Sequence, residues 1–302
     1  VILLGTVFAI ALTIDDTDRM GLTVAESHVL ILLASAGMML LAAAQDLMIV
    51  FLGIELMSLS VYALAGINRR SARGAEGALK YFLLGAFATA FLLYGMALVY
   101  GATGATNLID IADRVNTLGL AHSPLLIMGI GLMLIGFGFK VAAVPFHMWA
   151  PDVYDGAPSP ITAYMAATVK AAAFAALLRV WTEAFPTVYH AWHPAVAGLA
   201  IATMVGGNAI GLAQRNIKRM LAYSSIAHAG FLLVALAAGT TQATGAVLFY
   251  LLAYTLATFG AFAVIIVMSR PGDRPVMVDD FAGLWSVRPW LALGTGVLML
   301  SL

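Results

Sequence analysis

The fold is decided by residues 140–160, KVAAVPFHMWAPDVYDGAPSP, which interrupt an otherwise apolar chain. Pro145 has no backbone N–H and its ring clashes with the carbonyl oxygen of Val141, so a helix that enters this stretch must kink or break. The apolar run from Leu125 to Tyr154 is also too long for one straight membrane crossing. Backbone groups freed by such a break are tolerated only inside protein or beside water. The stretch therefore predicts a broken helix near Pro145.

The composition excludes a soluble globular protein. Of the 302 residues, 62% are hydrophobic and only 10% are charged, and the mean hydropathy is +0.97, whereas soluble domains are about 25% charged. The formal net charge is zero, which removes any case for nucleic-acid binding. The absence of cysteine excludes disulfides and Cys-ligated iron–sulfur clusters. The sequence thus predicts a polytopic membrane protein whose redox chemistry, if any, belongs to a partner.

Ten apolar segments make up most of the chain, and their length and lack of strict alternation favour α-helices over barrel strands. They cover residues 1–14, 27–44, 48–67, 78–100, 125–145, 159–182, 195–213, 220–238, 245–268 and 289–302. The first and last segments are short, so we expect an internal piece of a longer protein, and no basic region precedes 1–14 as in a signal peptide. We predict one all-α transmembrane domain, 1–302, with about ten transmembrane helices, two of them truncated.

The distribution of Lys and Arg between the loops predicts the orientation, because cytoplasmic loops carry an excess of these residues. The odd-numbered loops hold ten of them, and the even-numbered loops hold only Arg114. The loops expected in the cytoplasm are 15–26, 68–77, 146–158, 214–219 and 269–288.

Charged side chains inside the apolar segments are the candidate functional groups. A charge at a helix centre costs about 2.5–3.5 kcal/mol and is tolerated where it faces protein or water. These residues are Glu55, Lys80, Lys140 and Lys170. Lys80 follows Glu76 by one turn, so an ion pair that anchors the helix end is an open alternative. For the other three residues, the alternative is a purely structural ion pair.

His147 lies just past the predicted break, seven residues after Lys140 and so on roughly the same helix face. With an ordinary pKa near 6.5 it could relay protons, and simple packing is the alternative. Asn208 and His228 are weaker candidates, since interhelical hydrogen bonds or core packing explain them equally well. No metal or haem site is predicted. Buried groups of both signs beside a broken helix are typical of a proton path.

Three stretches resemble one known family: FLGIELMSLSVYAL at 51–64, GFGFKVAAVPFHMWAPDVYDGAPSPITAYMAATVKAAAF at 136–174 and QRNIKRMLAYSSIAHAGFLL at 214–233. They are similar to the antiporter-like membrane subunits of respiratory complex I, the NADH:quinone oxidoreductase, and within that family to the subunit N group. The form with PDVY and GAP points to this group rather than to subunits L or M or to the Mrp cation/proton antiporters.

The resemblance implies a fourteen-helix fold made of two inverted five-helix repeats, each with a broken helix. The first repeat would span about 27–182, and the second would begin at about 195 and be cut at 302. The resemblance also implies a proton route through Glu55, Lys140 and Lys170, with Lys80 and His147 accessory. The family's periplasm-side lysine would lie beyond the end of this chain.

The resemblance further implies that NADH, FMN, iron–sulfur clusters and quinone are bound in partner subunits and that this chain holds no cofactor or metal. The expected partners are the other membrane-arm subunits of complex I, in the lipid bilayer of a bacterial inner (plasma) membrane. The expected function is proton translocation coupled to quinone reduction elsewhere in the complex, which makes the chain a subunit of a translocase enzyme. The alternatives are an Mrp-like Na⁺/H⁺ antiporter module and a purely structural membrane subunit.

Overall fold

The structure is a computed structural model that describes residues 1–20, 24–269 and 275–302; of residues 15–20, 24 and 241 it describes only the backbone. All regular elements in these ranges are helical. The α-helices are α1 (Ile2–Met20), α2 (Val24–Ala43), α3 (Leu47–Ala65), α4 (Ala72–Thr103), α5 (Leu108–Thr117), α6 (Pro124–Val141), α7 (Ala150–Gly156), α8 (Ser159–Tyr164), α9 (Lys170–Ala184), α10 (Tyr189–Gly211), α11 (Ile217–Ala238), α12 (Thr241–Met268), α13 (Leu284–Val287) and α14 (Pro289–Ser301).

Within the described ranges, eight helices are long and apolar enough to cross a membrane, and two shorter apolar helices accompany them. The eight are α2, α3, α4, α6, the continuous helix Ser159–Ala184, α10, α11 and α12, and the shorter two are Ile2–Ile14 and α14. They coincide with the ten predicted segments, so the all-α, ten-segment prediction is confirmed.

The helices extend further than the apolar segments, because a helix continues for a turn or more past the hydrocarbon core into the headgroup region. The loop predicted at 15–26 is mostly helical, since α1 continues to Met20 and α2 begins at Val24. Residues 270–274 of the loop predicted at 269–288 lie outside the described residues. The rest of that loop contains a short 3₁₀ helix, Val278–Phe281, and α13.

The predicted break is confirmed and separates α6 from α7. Helix α6 ends at Val141, and Ala142 follows with a left-handed φ of 59°. Residues 142–149 are not helical until α7 begins at Ala150. The helix therefore ends four residues before Pro145, at the residue whose carbonyl oxygen the proline ring would otherwise meet.

The backbone groups freed by this break remain hydrogen-bonded. The N–H of Ala143 donates to the carbonyl of Gly138 at 2.8 Å, and the N–H of Val144 donates to the hydroxyl of Thr203 on α10 at 2.9 Å. The ring of Phe146 packs so closely on Gly138 that a Cβ there would lie 2.8 Å from it. The broken segment is therefore held in one conformation by the bundle.

The continuous helix Ser159–Ala184 lies in the middle of the bundle. The most apolar stretch of this helix is 94% buried, because α1 and α12 pack on its first part and α2, α5 and α6 pack on its second. A π-helical turn, Met165–Val169, separates α8 from α9, and Lys170 follows directly. The structure therefore holds Lys170 in the protein interior, away from lipid.

Two helix hairpins, α2–α3 and α10–α11, are built alike. Asp46 caps α3 and pairs with Asn107, and Asn216 caps α11 and pairs with Met277. Each residue of the second pair lies 170 positions after its counterpart in the first. Five membrane-length helices, α3, α4, α6, Ser159–Ala184 and α10, separate the connection of the first hairpin from that of the second along the chain.

Candidate functional site

Lys140 occupies the end of α6, directly before the break. Its side chain is 5% exposed, and its Nζ has no hydrogen-bond partner in the described part of the chain. The Glu55 carboxylate on α3 interacts with it electrostatically, although the two groups form no ion pair within 4.0 Å. Glu55 Oε1 is also buried without a hydrogen-bond partner. The structure thus places the half-buried Glu55 near the buried Lys140, without direct contact between the carboxylate and the ammonium.

Aromatic rings surround the ammonium group of Lys140. Its Nζ lies 5.2 Å from the ring centroid of Tyr62 and 5.6 Å from that of Tyr81. Tyr81 stacks on Trp149 at 4.3 Å, and the Trp149 indole N–H donates to the carbonyl of Phe139 at 3.0 Å. Trp149 thereby ties the far end of the broken segment back to α6. Cation–π contacts stabilise a desolvated ammonium by about 0.5–2 kcal/mol each, so the rings partly replace the missing hydrogen bonds.

Lys170 has a different environment from Lys140. Its side chain is 3% exposed, and its Nζ donates to the backbone carbonyl of Ser225 at 2.5 Å and to the Ser225 hydroxyl. The ammonium also lies 5.9 Å from the ring centroid of Tyr254 on α12. The π-helical turn directly before Lys170 is a feature that often marks functional sites in helices. Lys170 is therefore fixed by hydrogen bonds, whereas Lys140 is not.

A cluster of hydroxyl and imidazole groups continues from Lys170 across α11 and α12. The ring of His228 lies 4.9 Å from that of Tyr254, and its Nδ1 pairs with the Tyr250 hydroxyl. Together with Lys170 and Ser225, these residues connect α9, α11 and α12 through polar groups in the interior.

The sequence alone did not identify Tyr62, Ser225 or Tyr254, and it gave His228 little weight. Tyr62 follows Glu55 by seven residues on α3, a helical spacing that could have indicated it. Ser225 and Tyr254 meet Lys170 only through the packing of distant helices, and nothing in the local pattern signals that contact.

Lys80 does not join Glu55 and Lys140 and belongs instead to an ion-pair cluster at the end of α4. Its Nζ lies 2.6 Å from Glu76 and 2.8 Å from Asp152, and the other oxygen of Asp152 accepts from Arg219 on α11 at 2.7 Å. The Glu76–Lys80 pair considered from the sequence is present, but Asp152 is the residue that links α4, α7 and α11. Partial burial raises the pKa of Asp152, but hydrogen bonds and charges from Lys80 and Arg219 outweigh it, and the net pKa lies below its usual value.

We expect Asp152→Asn to lower stability at neutral pH, because Lys80 and Arg219 lose a charged acceptor. A carboxylate with a lowered folded-state pKa stabilises the protein above its unfolded pKa, near 3.9, and that stabilisation is lost as the pH falls through the folded value. The free energy of unfolding of Asp152→Asn should therefore be lower than that of the unmodified protein by about 1 kcal/mol or less per ion pair at pH 7. This difference should shrink below about pH 4. Thermal unfolding in detergent at both pH values measures it, with Asp110→Asn on exposed α5 as control. A difference that stays constant with pH contradicts the assignment.

His147 lies in the broken segment between α6 and α7. The argument that it shares a helix face with Lys140 is wrong, because residues 142–149 are not helical and the seven-residue spacing has no helical meaning there. Its Nδ1 is buried without a hydrogen-bond partner among the described residues, and its ring lies 6.5 Å from that of Tyr223. Burial lowers the pKa of His147 below its usual value, so its neutral form predominates at pH 7.

Across the ranges that the structure describes, no group of three or more His, Cys, Asp or Glu side chains could hold a metal ion. The polar chemistry of the interior consists of lysine, carboxylate, imidazole and hydroxyl groups. Such groups bind and release protons.

A family model described as NADH:quinone oxidoreductase/Mrp antiporter, transmembrane, matches residues 44–302. A curated relative from Gemmatimonas aurantiaca, NADH-quinone oxidoreductase subunit N, is 56% identical over 301 residues, which are 100% of this chain and 58% of the relative. Respiratory complex I from Thermus thermophilus with bound aureothin contains a chain 44% identical, with a TM-score of 0.83 over 99% of this chain and 62% of that one. The Mrp complex from Dietzia sp. shares the fold, with a TM-score of 0.80 at 24% identity over 96% of this chain and 56% of that one.

Proposed function

The chain belongs to the NADH:quinone oxidoreductase/Mrp antiporter transmembrane family, and we propose that it acts as a proton-translocating membrane-arm subunit of NADH:quinone oxidoreductase. The relative from Gemmatimonas aurantiaca that is 56% identical carries the name of subunit N of that enzyme. This chain spans 58% of the length of that relative. The translocase activity is therefore proposed for the whole protein, and the residues described above are proposed as its proton-handling part.

The observation that carries the proposal is the buried ammonium of Lys140 beside the Glu55 carboxylate. An ion pair that served only to join two helices would gain most from direct contact and full hydrogen bonding. Here the lysine has neither, and aromatic rings hold it instead. A charge held this loosely changes its proton affinity when its partner moves, which is what a proton-translocating group requires.

We assign the proton route to Glu55, Lys140 and Lys170. His147 is proposed as an accessory group, since its unpartnered Nδ1 lies in the break that follows Lys140. Lys80 is proposed only as an accessory group of the route, because its ammonium forms ion pairs with two carboxylates at the edge of the bundle. NADH, FMN, iron–sulfur clusters and quinone are assigned to partner subunits, and the partners are the other membrane-arm subunits of complex I.

We also propose a location in the bacterial inner membrane with the loops 68–77 and 214–219 in the cytoplasm. The excess of Lys and Arg in these loops supports the orientation. A contact through α7 supports their placement on one side: Asp155 accepts from Asn216 at 2.7 Å and lies 4.0 Å from Arg73. The matched hairpins described above support two repeats, the first at about 27–182 and the second from about 195.

An Mrp-like Na⁺/H⁺ antiporter module is the second candidate, because the Mrp complex from Dietzia sp. shares the fold. The two functions differ in partners and in the ion carried. The full-length protein purified from its native membrane through an affinity tag should bring with it the redox subunits of NADH:quinone oxidoreductase. Proteoliposomes of that preparation should move protons when NADH and quinone are added, without Na⁺ flux. Purification without redox subunits, together with Na⁺-dependent proton flux, would favour the antiporter.

A further inference from the structure

Ser225 on α11 is the main polar contact of Lys170. Its side chain is 2% exposed, and both its hydroxyl and its backbone carbonyl accept hydrogen bonds from the Lys170 ammonium. The ammonium also lies 5.9 Å from the ring centroid of Tyr254 on α12. Among the described residues, one serine on a neighbouring helix therefore supplies both hydrogen-bond acceptors of Lys170.

The number of donors and acceptors fixes how these contacts can be arranged. A hydroxyl has one proton to donate and two lone pairs, whereas a charged ammonium can only donate. When Lys170 is charged, its ammonium donates to a lone pair of Ser225 Oγ. When Lys170 is neutral, the serine O–H can turn and donate to the lone pair of the lysine nitrogen. The hydroxyl thus satisfies either protonation state by rotation alone.

Ser225 occupies the position in its hairpin that Glu55 occupies in the other. The offset of 170 residues that relates the two hairpins places Ser225 on α11 where Glu55 stands on α3. Position 55 carries a carboxyl group, whereas position 225 carries a hydroxyl. At position 225 a carboxylate in direct contact would hold the proton on Lys170, whereas a neutral hydroxyl does not favour one state through charge.

We propose that Ser225 is the positioning residue of Lys170, which holds the lysine in place while allowing it to gain and lose its proton. The inference rests on the proposed proton-translocating function, because it gives a role to one lysine of that route. It names Ser225 as a further functional position, distinct from Glu55 and Lys140.

The test uses membrane vesicles that carry the full-length protein in its native complex. Ser225→Ala should lower NADH-driven proton pumping by about tenfold, since a hydrogen bond to a charged group is lost. Ser225→Thr, which keeps the hydroxyl, should restore most of the rate. Ser225→Asp should lower pumping more, on the order of a hundredfold, because the new carboxylate keeps Lys170 protonated. Ser60→Ala removes a buried hydroxyl whose single hydrogen bond among the described residues goes to the Leu56 carbonyl of its own helix, and this variant is the matched control.

Assembly is checked in every variant by the amount of full-length protein in the membrane and by NADH oxidation with an artificial acceptor. Normal pumping in Ser225→Ala, or equal loss in Ser225→Ala and Ser225→Thr at normal assembly, overturns the inference. Lys140→Ala is measured in parallel to distinguish failure of the proposed function from failure of the proposed role of Ser225. If Lys140→Ala also pumps normally, the proposed function fails; if only Ser225→Ala pumps normally, the positioning role alone fails.

Discussion

Lys140→Ala and Glu55→Gln should each reduce NADH-driven proton pumping to a small fraction of the unmodified rate while leaving the complex assembled. Lys140 is the one lysine whose buried Nζ has no hydrogen-bond partner in the described chain, so its charge depends on Glu55 and on two aromatic rings. Without the carboxylate, desolvation favours loss of the proton from Lys140. Without the lysine, the route lacks the group next to the break.

The electrostatic interaction of Glu55 with Lys140 is comparable in size to the work of moving one proton against the membrane potential. Moving one charge against a potential of 100 mV requires about 2.3 kcal/mol. Two opposite charges about 6–8 Å apart interact by roughly 2–3 kcal/mol at an effective dielectric constant of about 20. Loss of most of the Glu55–Lys140 interaction, by a large separation of the two groups or by neutralisation of one of them, therefore changes the free energy of protonation by about as much as the membrane potential demands.

A double-mutant comparison tests whether the two residues act in one step. The Glu55→Gln, Lys140→Ala double variant should pump no worse than the worse single variant, because removing either partner already disables the shared step. Glu55→Asp keeps the charge and should retain most activity. Acidification of membrane vesicles measures pumping, NADH oxidation by an artificial acceptor measures assembly, and Glu183→Gln, in a pair with Arg179 at the bundle surface, is the control. Additive losses, or normal pumping in Glu55→Gln, would support a purely structural pair.

The sequence predicted the elements that local chemistry determines. The ten apolar segments follow from hydropathy, and the break follows from the missing N–H of Pro145, which ends α6 at Val141. Glu55, Lys140 and Lys170 stood out because a charge in an apolar helix is costly wherever that helix packs.

What the sequence did not predict depends on contacts between distant segments. Asp152, which the sequence reading left aside, joins Lys80 to Arg219 across 67–72 positions of chain. Ser225 lies 55 positions from Lys170. The face shared by Lys140 and His147 was a wrong inference because helical spacing was applied across the very break that the proline imposes.

Gly207→Leu should lower the stability of the fold. Helix α10 crosses α11 so closely that a Cβ at Gly207 would lie 2.6 Å from the backbone nitrogen of Ala227 and 2.9 Å from its Cα. These are backbone atoms that cannot rotate away, so the helices must separate. Overpacking costs about 1–3 kcal/mol or more, and each kcal/mol lowers the unfolding midpoint by about 2 °C in a domain of this size.

Gly198 supplies the matched control on the same helix. It is exposed, no atom lies within 4 Å of its ideal Cβ, and leucine forms helices better than glycine by almost 1 kcal/mol. Gly198→Leu should therefore leave the unfolding midpoint in detergent unchanged or raise it. Equal midpoints for Gly198→Leu and Gly207→Leu would refute the close crossing.

Gly37 lies 170 positions before Gly207, and a Cβ at Gly37 would also lie 2.6 Å from a backbone nitrogen, that of Met57. Gly37→Leu should thus match Gly207→Leu, because both hairpins depend on the same close approach.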